Sequence, residues 1–177
     1  ELKELIDKAV GKARELVDDD DTAEKVGIGS IIYNDLRQSR ENSISFDWRL
    51  MLNVEGASAV YLQYTYARIL SLLEKVKVRH SALRRLVFLS SYEWKIALRL
   101  MFFPYVVHSA RIKSYPHIIA GYLEELAGEF NAFYQNVSVM KTEDTGLKAS
   151  RLALVSAVGQ VLKNGLTLLN VPIPEKL

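Results

Sequence analysis

The chain has 177 residues, 49% of them hydrophobic and 25% charged, with 23 basic against 21 acidic residues and a net charge of +2. That composition suits one domain with a buried core and excludes wholesale disorder; the charge balance neither demands nor forbids a nucleic-acid partner, so any such partner has to be argued from local patches. Cysteine is absent, which excludes disulfides and thiolate metal sites and fits a reducing, cytoplasmic compartment.

Leu2, Leu5, Ile6, Ala9, Ala13 and Leu16 recur at three-four spacing and predict an amphipathic helix over 2–17. The sequence opens inside that pattern without an initiator methionine or a signal peptide, the expectation for a piece of a longer protein. "DDDD" at 18–21 stops the helix, because acidic groups oppose the negative end of its dipole. Asp21 followed by Glu24 has capping-box spacing and starts a second helix over about 22–37. Gly27 and Gly29 inside it cost roughly 1 kcal/mol each against alanine, which predicts close approach of another backbone.

Residues 43–46 read as a connector, Asp47 opens a short helix in "DWRLMLN", and the next helix follows Gly56 to about Val76. Lys75, Lys77, Arg79, Arg84 and Arg85 then stand without an acid among them. "SALRRL" (81–86) reads as a surface turn of helix or, with that run, as a basic patch for a phosphate backbone. Helical patterning runs through 90–103, breaks at Pro104 and resumes to about Lys113. The apolar run "IALRLMFFPYVV" (96–107) is too short to span a bilayer and reads as a buried helix. Pro116 starts a helix through "HIIAGYLEELAGEFNAFYQN", 141–146 form a polar loop, a last helix covers about 147–169, and "NVPIPEKL" is an extended tail. No repeat or strand pattern emerges, so the predicted fold class is all-α. His80, His108 and His117 lack metal-ligand spacing, and Glu124 with Glu125 reads as a solvated acidic step.

"EGASAVYLQYTYARI" (55–69) holds the most informative wheel. At roughly 100° per residue, Leu62, Tyr66, Ile69 and Leu73 share one sector of about 60°, a core stripe; Tyr61, Tyr64 and Arg68 share another nearly opposite. Tyr66 is therefore predicted inside. On the wheel alone Tyr61 and Tyr64 stand equally as a second buried face or as a surface on which unpaired bases stack, with Arg68 beside a phosphate.

The run "VGIGSIIYNDLRQSR", the Phe-x-Trp-x-x-Met-Leu pattern at 46–52, "YLQYTYAR" at 61–68, "ELAGEFNAFY" (125–134) and the ending "VPIPEKL" together resemble the C-terminal part of arginyl-tRNA synthetases over nearly the whole chain. The resemblance implies a helical bundle of the class I synthetase anticodon-binding (DALR) type at 22–177, preceded at 1–21 by the helix that follows the catalytic domain's KMSKS loop. It implies that tyrosines matching Tyr61 and Tyr64 line the site where the anticodon loop is opened. A tyrosine matching Tyr134 and the extreme C-terminus, here Leu177, contribute to the same site. Arg68 matches a family position, and Arg84 and Arg85 would guide the stem backbone.

The chain departs from the family at Val60, usually Pro, and Leu177, usually Met. HIGH-like and KMSKS-like motifs are absent from the sequence. The implied partners are an arginine tRNA and the enzyme's own catalytic domain, with no membrane. No cofactor is expected on this chain: ATP would serve the full-length ligase, and adenylate formation is not expected here. The alternative is a helical protein-interaction or oligomerisation module that no longer reads RNA.

Overall fold

A computed structural model describes residues 2–44, 46–76, 86–174 and 177. The described residues form seven helices and no strand: α1 (Leu2–Ala13), α2 (Asp20–Leu36), α3 (Trp48–Met51), α4 (Ala59–Val76), α5 (Ser91–Lys113), α6 (His117–Asn136) and α7 (Thr145–Leu168). The all-α expectation is borne out.

α1 and α2 form an antiparallel pair, and Gly27 explains how closely they lie. A Cβ at Gly27 would stand 2.7 Å from the Val10 backbone nitrogen, so the expected close backbone approach is present. At Gly29 the near neighbour is instead the Gln63 side chain, 2.8 Å from such a Cβ. α1 ends at Ala13 rather than at 17: a turn follows, and Arg14 bonds Asp20 across it at 2.9 Å. The cap is also displaced from the expected Asp21. The Asp19 carboxylate accepts the Thr22 N–H at 2.8 Å, while Asp21 pairs with Lys25 one turn on. Four adjacent aspartates offer the same side chain, and reach to an unpaired N–H two or three residues on decides among them.

The main core lies between α4, α6 and α7, where Leu62, Ile69, Leu123, Leu126, Phe130, Phe133, Val158 and Leu162 are fully buried. α5 folds back as a hairpin onto α6. Arg99 binds Glu129 at 2.6 Å and also Glu125, and the Tyr122 hydroxyl donates to the Arg99 carbonyl at 2.9 Å. α5 runs unbroken through Pro104, against the predicted break. Pro104 lies on the exposed side, while Ile96, Leu100, Phe103, Val106 and Ala110 anchor both halves of the helix to the core.

The reading of 96–107 as wholly buried is overturned as well. Trp94, Leu98, Met101, Phe102, Tyr105 and Ile112 are each more than half exposed along one side of α5. The helix is apolar around most of its circumference, so composition alone could not tell its packed side from its open one.

α5 begins with a capping box in which the Ser90 hydroxyl accepts the Glu93 N–H. The Glu93 carboxylate is fully buried; it accepts the backbone N–H groups of Leu89 and Ser90 and takes Arg151 of α7 at 2.6 Å. Burial pushes this carboxyl up, but Arg151 and the two backbone donors outweigh it and hold it below the usual carboxylate range. Its folded value is depressed, so its stabilisation is complete above the usual range and is lost as pH falls through the depressed native value.

Glu93→Ala leaves Arg151 without its carboxylate and is expected to cost about 3 kcal/mol, read as a fall in Tm of about 10 °C. The loss relative to wild type should shrink in thermal melts as pH is lowered below the carboxylate range. Gly27→Ala should force α1 off α2 and cost about 2 kcal/mol in the same assay.

Candidate nucleic-acid interface

The loop before α4 fixes where that helix starts. Asn53 closes a tight turn, accepting the Glu55 N–H at 2.9 Å and donating to the Glu55 carbonyl at 2.8 Å, and Gly56 takes a φ of 132° that suits only glycine. Ser58 donates to the Asn53 carbonyl and accepts the Tyr61 N–H at 3.0 Å, so α4 begins at Ala59. Val60, where the resembling family has proline, fills a small cluster with Ala13, Ala23 and Val26.

From that start, the 3.6-residue repeat turns Leu62, Tyr66 and Ile69 inward. Tyr66 is buried, as its sector predicts. Tyr61 is half-buried against the core edge, and Tyr64 is 42% exposed. The wheel's even choice for these two is thus answered separately for each.

Opposite α4 stands α6. Asn131 donates to the Tyr61 hydroxyl at 2.9 Å and to Thr65 Oγ1 at 3.2 Å, while Arg68 donates to Asn131 Oδ1 at 3.4 Å. The Arg68 guanidinium carbon sits 4.8 Å from the Tyr64 ring centre and 5.4 Å from that of Tyr134, which is 39% exposed. Both distances are within cation–π reach. Arg68 has no acidic partner among the described residues.

The two helices and the loop wall a cleft of about 720 Å³, lined by Val54–Ala57, Tyr61, Tyr64, Arg68, Glu124, Asn131 and Gln135. A second depression of about 250 Å³ joins Tyr64, Arg68, Lys75, Tyr134 and Leu177. Tyr61, Tyr64, Arg68, Tyr134 and Leu177, separated by up to 116 positions in sequence, therefore share one surface. Arg84 and Arg85 lie outside the described residues, as do His80 and the basic run beyond Val76.

Glu124 is more than a solvated acid. It accepts the Tyr33 hydroxyl at 2.9 Å and meets Arg37 at 3.4 Å, tying α2 to α6 beneath the cleft. Burial, then the Glu124 charge, pushes the Tyr33 hydroxyl well above its usual range. Asn131, Gln135 and Thr65 escaped the sequence reading. Glu124, Asn131 and Gln135 recur at seven and four residues, a polar row along one side of the helix, apart from the Glu125 and Glu129 that meet Arg99, that could have signalled a lined groove. His108 is exposed and His117 lies against the Tyr115 ring at 5.0 Å; among the described residues no three acidic or histidine side chains converge to hold a metal ion.

Comparison with known proteins adds an independent line. The family model described as the DALR anticodon binding domain matches residues 62–177. The chain is 39% identical over 194 residues to an arginine–tRNA ligase of Thermococcus kodakarensis, covering 99% of this chain and 30% of that protein. It is 36% identical over 188 residues to one of Haemophilus influenzae, covering 99% of this chain and 33% of the other. Among solved structures, an arginyl-tRNA synthetase of Thermus thermophilus superposes with a TM-score of 0.90 at 29% identity, over 99% of this chain and 32% of that one. That of Plasmodium falciparum gives 0.88 at 30% identity, over 100% and 34%. The chain thus spans about a third of the length of these relatives.

The different burial of the tyrosines has a direct consequence in melting experiments. Tyr66→Ala is expected to cost about 3 kcal/mol or more, whereas Tyr64→Ala should stay within about 1 kcal/mol of wild type. An equal loss for both would mean that Tyr64 is a core residue.

Proposed function

The chain belongs to the DALR anticodon-binding domain family, and from that membership we propose that it is the anticodon-binding part of an arginine–tRNA ligase. In this reading the full enzyme, working in the cytoplasm, attaches arginine to its tRNA with ATP. This part grips the anticodon loop and lends binding energy and tRNA discrimination to that remote reaction. One observation carries the reading: Arg68, with no acidic partner among the described residues, lies against two half-exposed tyrosine rings from different helices, at the mouth of a cleft of about 720 Å³. Unpaired bases stack on such rings, and the adjacent guanidinium serves a phosphate or extends the stack. Duplex RNA offers no comparable face, so the surface favours a single-stranded loop.

The exposed side of α5 supports a protein contact in addition. In the same reading that contact includes the catalytic part of such an enzyme; it lies apart from the cleft residues and leaves the RNA surface open.

Binding to an anticodon stem-loop of an arginine tRNA, beside a copy with the middle anticodon base changed, tests the proposal. Wild type should prefer the native loop and lose affinity as salt rises. Tyr64→Ala should weaken binding by about tenfold or more, and Arg68→Ala should flatten the salt dependence by about 0.7 in logarithmic slope. Equal binding of both loops, or salt-independent binding, contradicts it.

A further inference from the structure

The hydrogen-bond network in the cleft has a determined polarity. Thr65 commits its hydroxyl proton to the Tyr61 carbonyl at 2.8 Å, so toward Asn131, 3.2 Å away, its oxygen can only accept. Arg68 carries donors alone, so the Asn131 atom it approaches at 3.4 Å is the amide oxygen. These two neighbours decide which end of the amide is nitrogen. The remaining amide proton goes to the Tyr61 hydroxyl oxygen at 2.9 Å. Tyr61 is thereby an acceptor toward Asn131, and its own proton has no taker among the described residues. The ring stands on the cleft wall, so that proton is available to whatever enters.

We infer that Asn131 is a positioning residue that makes the Tyr61 hydroxyl a hydrogen-bond donor facing the cleft, so that the site selects a nucleobase presenting an acceptor atom there, a carbonyl oxygen or a ring nitrogen. The inference rests on the RNA-binding reading above. The same amide holds Arg68 beside Tyr64 and Tyr134, so one side chain sets both the donor and the stacking surface. Asn131 reaches both through partners and does not itself need to touch RNA. A site built to donate a hydrogen bond discriminates against a ligand lacking the acceptor, because its own polar group is then left unpaired.

The test uses an RNA hairpin with an anticodon-type loop and copies in which single loop bases are replaced by deazapurines or thiopyrimidines, each lacking or weakening one acceptor. Wild type should bind one such copy about tenfold less well than the parent hairpin. Tyr61→Phe removes the donor. Asn131→Asp places an acceptor where the amide nitrogen was and draws the Tyr61 proton away from the cleft. Each should abolish that penalty, and the double variant should add nothing further, the signature of a shared contact in a double-mutant cycle. Asn131→Ala, which leaves the phenol free to turn, should give an intermediate penalty if Asn131→Asp fails to fold.

A purely structural Asn131 would lower affinity for every hairpin alike and leave the ratio intact. Retention of the full penalty in the Asn131 variants while Tyr61→Phe loses it overturns the inference alone. So does wild-type binding with no sensitivity to any analogue. Failure of wild type to bind the parent hairpin overturns the RNA-binding reading and the inference with it.

Discussion

The rotation of α4 about its own axis governs everything on the candidate surface, and it is set by close contact with α7. A Cβ on Gly159 of α7 would stand 2.8 Å from Ile69 Cγ2, so only glycine lets Ile69 seat at this depth. With Ile69 and Leu62 pinned inside, the helical repeat leaves Tyr64 and Arg68 no choice but the outer side. Tyr61 falls at the boundary, half-buried, which is why its hydroxyl can join both an internal network and the cleft. A rotation of α4 by one residue would bury Arg68 and dissolve the site. The surface is thus a by-product of good core packing on the other side of one helix.

The electrostatics follow a similar economy. The chain is nearly neutral, yet Arg68 on the cleft wall has no acidic partner among the described residues, although Glu55 and Glu124 line the same cleft. Glu93 is held by Arg151 and two backbone donors, Glu124 by Tyr33 and Arg37, and Glu125 and Glu129 by Arg99. These contacts fasten α5, α2 and α7 into the bundle and engage four carboxylates with partners other than Arg68. Local charge of this kind, rather than the net value, decides whether a near-neutral domain can meet a polyanion.

Much of the fold was legible because helices announce themselves by period. The inward direction of Tyr66, the short helix after Asp47 and the start of α6 after Pro116 all follow from spacing and caps. What failed had a common cause: local rules that several residues satisfy equally. Four aspartates compete to cap α2, and α5 is apolar on nearly every side, so neither its cap-independent continuity through Pro104 nor its open face could be read from pattern. In the site, Tyr64, Arg68 and Tyr134 were visible as residue types carried by motif. Asn131 was not, because its role exists only through partners 63 to 70 positions away on another helix. Long-range hydrogen-bond geometry leaves no periodic trace in a sequence.

The central claim is one of place: RNA loops bind across α4 and α6. Photocrosslinking locates that contact most directly, using a hairpin with thiouridine in its single-stranded loop and mass spectrometry of the adducts. The account predicts adducts on Tyr64 or Tyr134 and their neighbours on the cleft wall, lost when the loop is closed into duplex. Adducts concentrated on α5, at Trp94 or Tyr105, or undiminished by closing the loop, would contradict it.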